Sequence, residues 1–152
     1  MKTNNAIDNL KENSQQLSAS IKWLRRSYQQ CQSIKFNQTL SEDEFDKLEN
    51  LSSRFARTVD ILINKMYRAI DRVEMVDQGT LIDTINNAEK RNLIDSVEQA
   101  QTLKDIRHEI VHEYILEDLQ PLFIEVLSQT KQLIELCNKA LNYAKQYTSE
   151  TR

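Results

Sequence analysis

Glycine and proline are almost missing, with one residue of each in a chain of 152. Tight hairpins and glycine-rich ligand loops draw on residues that reach positive φ or break a helix, and this chain has almost none to give. Neither a P-loop nor a G-x-G-x-x-G fingerprint can be built from one glycine. Cysteine is scarce as well. Cys31 and Cys137 lie far apart with no C-x-x-C spacing, which argues against a disulfide framework or a thiolate metal cluster and reads as two buried free thiols. No apolar run approaches the length of a membrane span, and Met-Lys-Thr-Asn-Asn at the start has no apolar segment behind its lysine. These absences predict a cytoplasmic chain with no membrane partner. A net charge of −3 argues against coating nucleic acid by bulk electrostatics, so any such contact has to use a local basic patch.

What is present is helical periodicity in a length that suits one domain, residues 1–152, with a single moderate core. Ile7, Leu10, Leu17, Ile21, Leu24, Tyr28 and Cys31 recur at three- and four-residue steps and predict a first helix from about Asn5 to Ile34. A polar connector follows to Leu40. Ser41-Glu-Asp-Glu44 then reads as a capping box that opens a second long helix. Its stripe of Leu48, Leu51, Phe55, Val59, Leu62, Met66, Ala69 and Val73, with Ile63, Tyr67 and Ile70 beside it, predicts a helix covered on more than one side. The single glycine, in Asp77-Gln78-Gly79, is the expected C-cap. A short helix over Thr80–Lys90, a fourth from about Ser96 to Glu113, and a last one opening at Pro121 complete the reading. The last helix carries a stripe of Leu122, Val126, Leu133, Cys137, Ala140, Ala144 and Tyr147. The expected fold class is an all-α, antiparallel bundle of four to five helices.

The densest titratable stretch is Asp105-Ile-Arg-His-Glu-Ile-Val-His-Glu-Tyr114, which holds both histidines of the chain. On a continuous helix His108 and His112 share a face, whereas Arg107 lies about 140° around and about 7.5 Å along the axis from His112. One straight helix therefore cannot close both groups on one small target. Two copies across a two-fold axis can, because an isologous contact gathers two arginines and two histidines into one cleft. Such a cleft suits RNA cleavage. Histidine can move the 2′-OH and 5′-oxygen protons near neutral pH, and arginine offers a permanently charged fork to the phosphate. With the 2′-OH as nucleophile, no metal or other cofactor is needed.

Arg107, four residues, His112, one residue, Tyr114 resembles the R-x-x-x-x-H-x-Y signature of HepT-type toxins of the HEPN superfamily. His108, a polar residue directly after the arginine, also fits as a supporting group. The order of long helices before and after the motif is similar to that family over nearly the whole chain. The resemblance implies a HEPN-like bundle and a homodimeric, metal-independent endoribonuclease, with Arg107 and His112 catalytic. It further implies a cognate MntA-type nucleotidyltransferase antitoxin that attaches AMP to Tyr114, and an RNA substrate such as tRNA or mRNA. Tyr114 would project within about 20° of Arg107 on an ideal helix, so an attached phosphate would occupy or neutralise the arginine's site. Related bundles are similar to non-catalytic substrate-binding or accessory subunits of small nucleotidyltransferases, which is the alternative reading.

The same residues spell His108-Glu109-Ile110-Val111-His112, the H-E-x-x-H pattern of zinc proteases. Charged Arg107 and Glu113 flank it, the chain has no third histidine, and no strand is expected that could align a peptide, so the metal reading is set aside. On the second helix Arg54, Arg57, Lys65, Arg68 and Arg72 could form a basic strip for RNA phosphates, Arg54 and Arg57 foremost. Asp60, Asp71 and Glu74 nearby supply local partners, as on an ordinary solvated face. Trp23 and Tyr28 could stack on bases, although packing in a core or a dimer interface is the plainer expectation. Tyr143 and Tyr147 fit helix packing alone.

Overall fold

The computed structural model of the chain describes residues 2–76, 79–112 and 118–149. The described residues form helices and connectors, with no strand among them. The fold class is all-α, a helical bundle. No helix among the described residues is long and apolar enough to cross a membrane.

Helix α1 spans Lys2–Cys31, starting earlier and stopping sooner than its apolar spacing predicts. It stops once Cys31 is buried, its thiol donating to the Lys47 carbonyl at 3.4 Å, and a turn carries the chain on to Ile34. Burial pushes the Cys31 thiol above its ordinary range, with Lys47 pulling weakly the other way. Helix α2 spans Glu42–Val59 and opens on the expected box: Ser41 Oγ accepts from the Glu44 backbone N–H, and the Glu44 carboxylate accepts from the Ser41 N–H. This reciprocal pair satisfies two of the four donors that a helix start leaves open. Helix α2 runs without a break into a π-helical stretch, Asp60–Met66, and then into α3, Tyr67–Val73. The π register is marked by the Tyr67 N–H donating five residues back to Leu62. In this stretch Ile61, Leu62 and Ile63 are all buried in succession, as are Ala69, Ile70 and Asp71 in α3, so the rod is covered on more than one side.

The rod of residues 42–73 is the axis of the bundle. Helix α1 runs antiparallel along it, as Ser20 meets Thr58, Ser27 meets Arg54 and Cys31 meets Lys47. Helix α6, Gln120–Thr148, starts with Pro121 in its first turn and packs along α1 and α2, and α5, Val97–His112, packs on α2 and α6. Leu122, Val126, Leu133, Cys137, Ala140 and Ala144 are all buried, as their spacing predicts.

Helix α3 ends at Val73 rather than at the glycine. Met75 takes φ 60°, while its N–H and that of Val76 donate back to Arg72 and Asp71. This is a left-handed helix terminus built without glycine. Helix α4, Leu81–Lys90, ends the same way on Asn92 at φ 63°. Gly79 serves the start of α4 instead: Thr80 and Asp83 form a capping box, and a Cβ at position 79 would come within 2.3 Å of the Asp83 carboxylate. Of the expected cap, Asp77 and Gln78 lie outside the described residues.

The connector after α4 is tied down by Arg91, whose side chain is 10% exposed. Its Nη1 lies 2.6 Å from Asp71 and its Nε 2.8 Å from Glu74. Asn87 donates to Asp71, and the hydroxyls of Tyr143 and Tyr147 both donate to the second Glu74 oxygen. One guanidinium and two phenols thus join α3, α4 and α6 around two carboxylates. Burial alone would push Glu74 up, but hydrogen bonds from Tyr143, Tyr147 and Arg91 outweigh it and hold its carboxyl below the usual range.

Two outcomes are expected. Met75 is 76% exposed, so Met75→Gly loses no packing and relieves a left-handed backbone strain of about 1 kcal/mol. Its Tm should rise by about 2–4 °C in thermal unfolding. Arg91→Met strands the buried Asp71 carboxylate and half-buried Glu74, and should cost about 3–5 kcal/mol in urea unfolding. Because the folded value of Glu74 is depressed, its share of stability is fully present above the unfolded carboxyl value of about 4.3 and disappears as pH falls through the folded one. Glu74→Gln should therefore flatten the acid limb of the stability curve.

Candidate functional site

Helix α5 begins where the Ser96 hydroxyl accepts from the Gln99 N–H, and it buries Ala100, Leu103 and Ile106, with Ile110 half-buried behind them. That stripe fixes the rotation of the helix. Arg107 lies about 40° from the centre of the stripe, at the edge that faces the rod, and His108 lies a further 100° out.

Arg107 reaches across to Asp60, the first residue of the π-helical stretch. Its Nη2 donates to Oδ2 at 3.1 Å. Its Nε sits 2.9 Å from Oδ1, yet that N–H is not aimed for a hydrogen bond, so charge attraction holds this edge of the pair. Asn64 Nδ2 donates to the same Oδ1 at 3.1 Å and steadies the carboxylate from one turn along. Both side chains of the pair are 36% exposed, so the charges meet in a wet setting. The contact uses the Nε/Nη2 edge of the guanidinium, and the fork carries further donors beyond that edge.

A cleft of about 530 Å³ opens beside this pair, between the rod, the start of α4 and α5. Arg107, His108, Lys104 and Asp105 line it from α5, and Asp60, Ile63 and Asn64 from the rod. His112 is exposed one turn further on, its ring centroid 4.3 Å from that of His108 and tilted by 48°. Both imidazoles share one face, as their spacing predicts, and Arg107 lies to its side. Of the two, it is His108 that shares the cleft with Arg107. Tyr114 and Glu113 lie outside the described residues. Among the described residues, no three or more His, Cys, Asp or Glu side chains gather into a group that could hold a metal ion.

The two foremost arginines of the expected strip part ways. Arg54 is pinned between helices, with its Nη1 donating to Ser27 Oγ at 2.8 Å and to the Trp23 carbonyl at 3.3 Å, whereas Arg57 is exposed. Trp23 is not a core residue, being 45% exposed. The acids near the strip also differ from the expectation that they serve its cations. Asp60 pairs with Arg107 of α5, and Asp71 and Glu74 pair with Arg91. Sequence reasoning missed the part Asp60 plays, and the signal was a lone carboxylate set between Val59 and Ile61, both buried.

The arrangement offers a guanidinium and an imidazole at one accessible cleft, with a second imidazole adjacent. That set can bind a phosphodiester and move protons to and from it. Because the Arg107–Asp60 pair is about one-third exposed, a double-mutant cycle with Asp60→Asn and Arg107→Gln should give a coupling of only about 0.2–1 kcal/mol in urea unfolding. A coupling of several kcal/mol would mean that the pair is a structural bolt rather than a site. No known protein family, curated protein or solved structure matches this chain.

Proposed function

We propose that the chain is a metal-independent endoribonuclease toxin of the HepT type. In this reading it works in the cytoplasm as a homodimer and is silenced by an MntA-type nucleotidyltransferase antitoxin that adenylylates Tyr114. The observation that carries this reading is the Arg107 guanidinium held at an open cleft beside His108, with the His112 ring in contact one turn on. It is joined to the R-x-x-x-x-H-x-Y spacing of Arg107, His112 and Tyr114, which resembles the HEPN signature.

Each group has a defined task in strand cleavage. An imidazole takes the proton of the ribose 2′-OH, and the oxygen attacks the adjacent phosphorus. Arg107 stabilises the charge that builds on the non-bridging oxygens. A second imidazole protonates the departing 5′-oxygen, leaving a 2′,3′-cyclic phosphate. In a two-fold dimer the acid and the base come from paired copies of the same helix, which resolves the sideways offset between Arg107 and His112. His108 is the alternative proton carrier, since it shares the cleft with Arg107. AMP on Tyr114 would bring an anionic phosphate to the arginine and close the site to RNA.

One observation favours the second reading, a non-catalytic accessory subunit of a small nucleotidyltransferase. The Asp60 carboxylate already partners the Arg107 charge, and a phosphate has to compete with it. Cleavage of structured tRNA and of mRNA by purified dimer in EDTA separates the two. Wild type should cut, while Arg107→Ala and His112→Ala should each lose activity by about a hundredfold or more. Loss in His108→Ala but not in His112→Ala would move the proton-transfer role to His108. A clean wild-type dimer that cuts no RNA would leave the accessory reading.

A further inference from the structure

The charge of the chain is unevenly placed. Residues 13–41 contain no Asp or Glu, nor do residues 50–59, yet these two segments hold Lys22, Arg25, Arg26, Lys35, Arg54 and Arg57. Setting those six cations aside, the net charge of −3 becomes −9 for the rest of the chain. The antiparallel pairing of α1 with α2 brings the two acid-free segments side by side, as the buried Ser20–Thr58 hydrogen bond of 2.6 Å and the Arg54–Ser27 bond record. The two segments thus make a face to which neither contributes a carboxylate.

At the centre of that face stands Trp23, the single tryptophan of the chain, 45% exposed. The Arg54 guanidinium lies 5.3 Å from its ring centroid, and the Lys22 ammonium 5.5 Å. Arg54 is fixed by its hydrogen bonds to α1, so it backs the ring as a rigid support. Lys22 and Arg26 are exposed, and Arg26 follows Trp23 by three residues on the same side of α1. On α2, Arg54, Arg57 and Asp60 form an i, i+3, i+6 row that turns by about 60° per step, from the α1 side of the rod round to the α5 side. Over about 9 Å that row leads from the tryptophan to the carboxylate that holds Arg107.

We propose that this face, Lys22, Trp23, Arg26, Arg54 and Arg57, is a docking surface for single-stranded RNA, with Trp23 stacking on a base and the exposed cations taking flanking phosphates. It deepens the ribonuclease reading, and rests on it, by giving the strand a second hold that leads to the cleft. The choice of occupant follows from the chemistry. An acidic protein or a bare polyanion would use the cations but gain little from an indole, whereas every base offers a π-face to it. A duplex hides those faces in its stack, so an unpaired strand is the better match.

Trp23 is its own reporter. The test titrates full-length His112→Ala, chosen so that RNA is not consumed, with a twelve-residue oligouridylate, following tryptophan fluorescence and, separately, the anisotropy of labelled RNA. Inorganic polyphosphate of equal charge is the comparison. The expected result is quenching by the oligonucleotide, with Trp23→Leu weakening the anisotropy-measured binding about tenfold or more. Arg57→Ala should lower the salt dependence of binding by about one phosphate contact. Circular dichroism confirms that each variant is folded. Equal affinity for polyphosphate and RNA, or unchanged RNA binding in folded Trp23→Leu, overturns the proposal. Strand cleavage by wild type that is indifferent to Trp23 removes the docking surface and leaves the nuclease. RNA bound through Trp23 but never cut removes the nuclease and leaves the surface.

Discussion

The rod of residues 42–73 has to be covered on nearly every side. Leu48, Leu51, Phe55, Val59, Leu62, Met66 and Ile70 are buried, and Ile61, Ile63, Tyr67 and Ala69 extend the apolar surface around the axis. Two neighbours cannot cover such a surface, so α1, α5 and α6 all lie along it. What the cover leaves is a narrow strip of the rod that faces water, carrying Ser53, Arg57 and Asn64, with half-buried Asp60 at its edge. Both the cleft beside α5 and the basic face beside α1 open onto that strip. Their closeness is a consequence of how little of the rod remains uncovered.

The π-helical stretch is where this constraint meets the candidate chemistry. The stretch buries Ile61, Leu62 and Ile63, and it begins at the residue that holds Arg107. Such stretches often mark functional sites because they turn a side chain away from the direction that regular winding would give it. Asp60 stands at the start of that stretch, with its own N–H still bonded four residues back to Ala56. Its carboxylate keeps the guanidinium at the mouth of the cleft, and it is also the charge with which any anion approaching Arg107 has to compete. Pre-positioning and competition come from the same contact.

The bundle was largely legible in the sequence because each long helix carries its own signal: the three-and-four spacing in α1 and α6, the Ser41–Glu44 box in α2, and Pro121 at the start of α6. Helix ends were less legible. Glycine is the usual marker of a left-handed terminus, and here Met75 and Asn92 take that conformation while Gly79 makes room for Asp83. Within the site, the shared face of His108 and His112 followed from spacing on a single helix. The Arg107–Asp60 pair did not, since it joins residues 47 apart whose meeting depends on how α5 is rotated against the rod. The fate of Trp23 was hidden for the same reason: an indole at the edge of an apolar stripe is buried or bare according to a neighbour that periodicity does not describe.

The clasp around Glu74 has an implication for the order in which the chain matures. Tyr143 and Tyr147 follow that carboxylate by 69 and 73 residues, so at ribosomal speeds of about 5–20 residues per second they emerge several seconds after it. In the later part of that interval the nascent chain holds the whole rod, Arg107 and both histidines, but not all of α6, which covers the rod and completes the clasp. A chain that lacks α6 therefore carries the residues of its candidate site without the clasp that joins α3, α4 and α6.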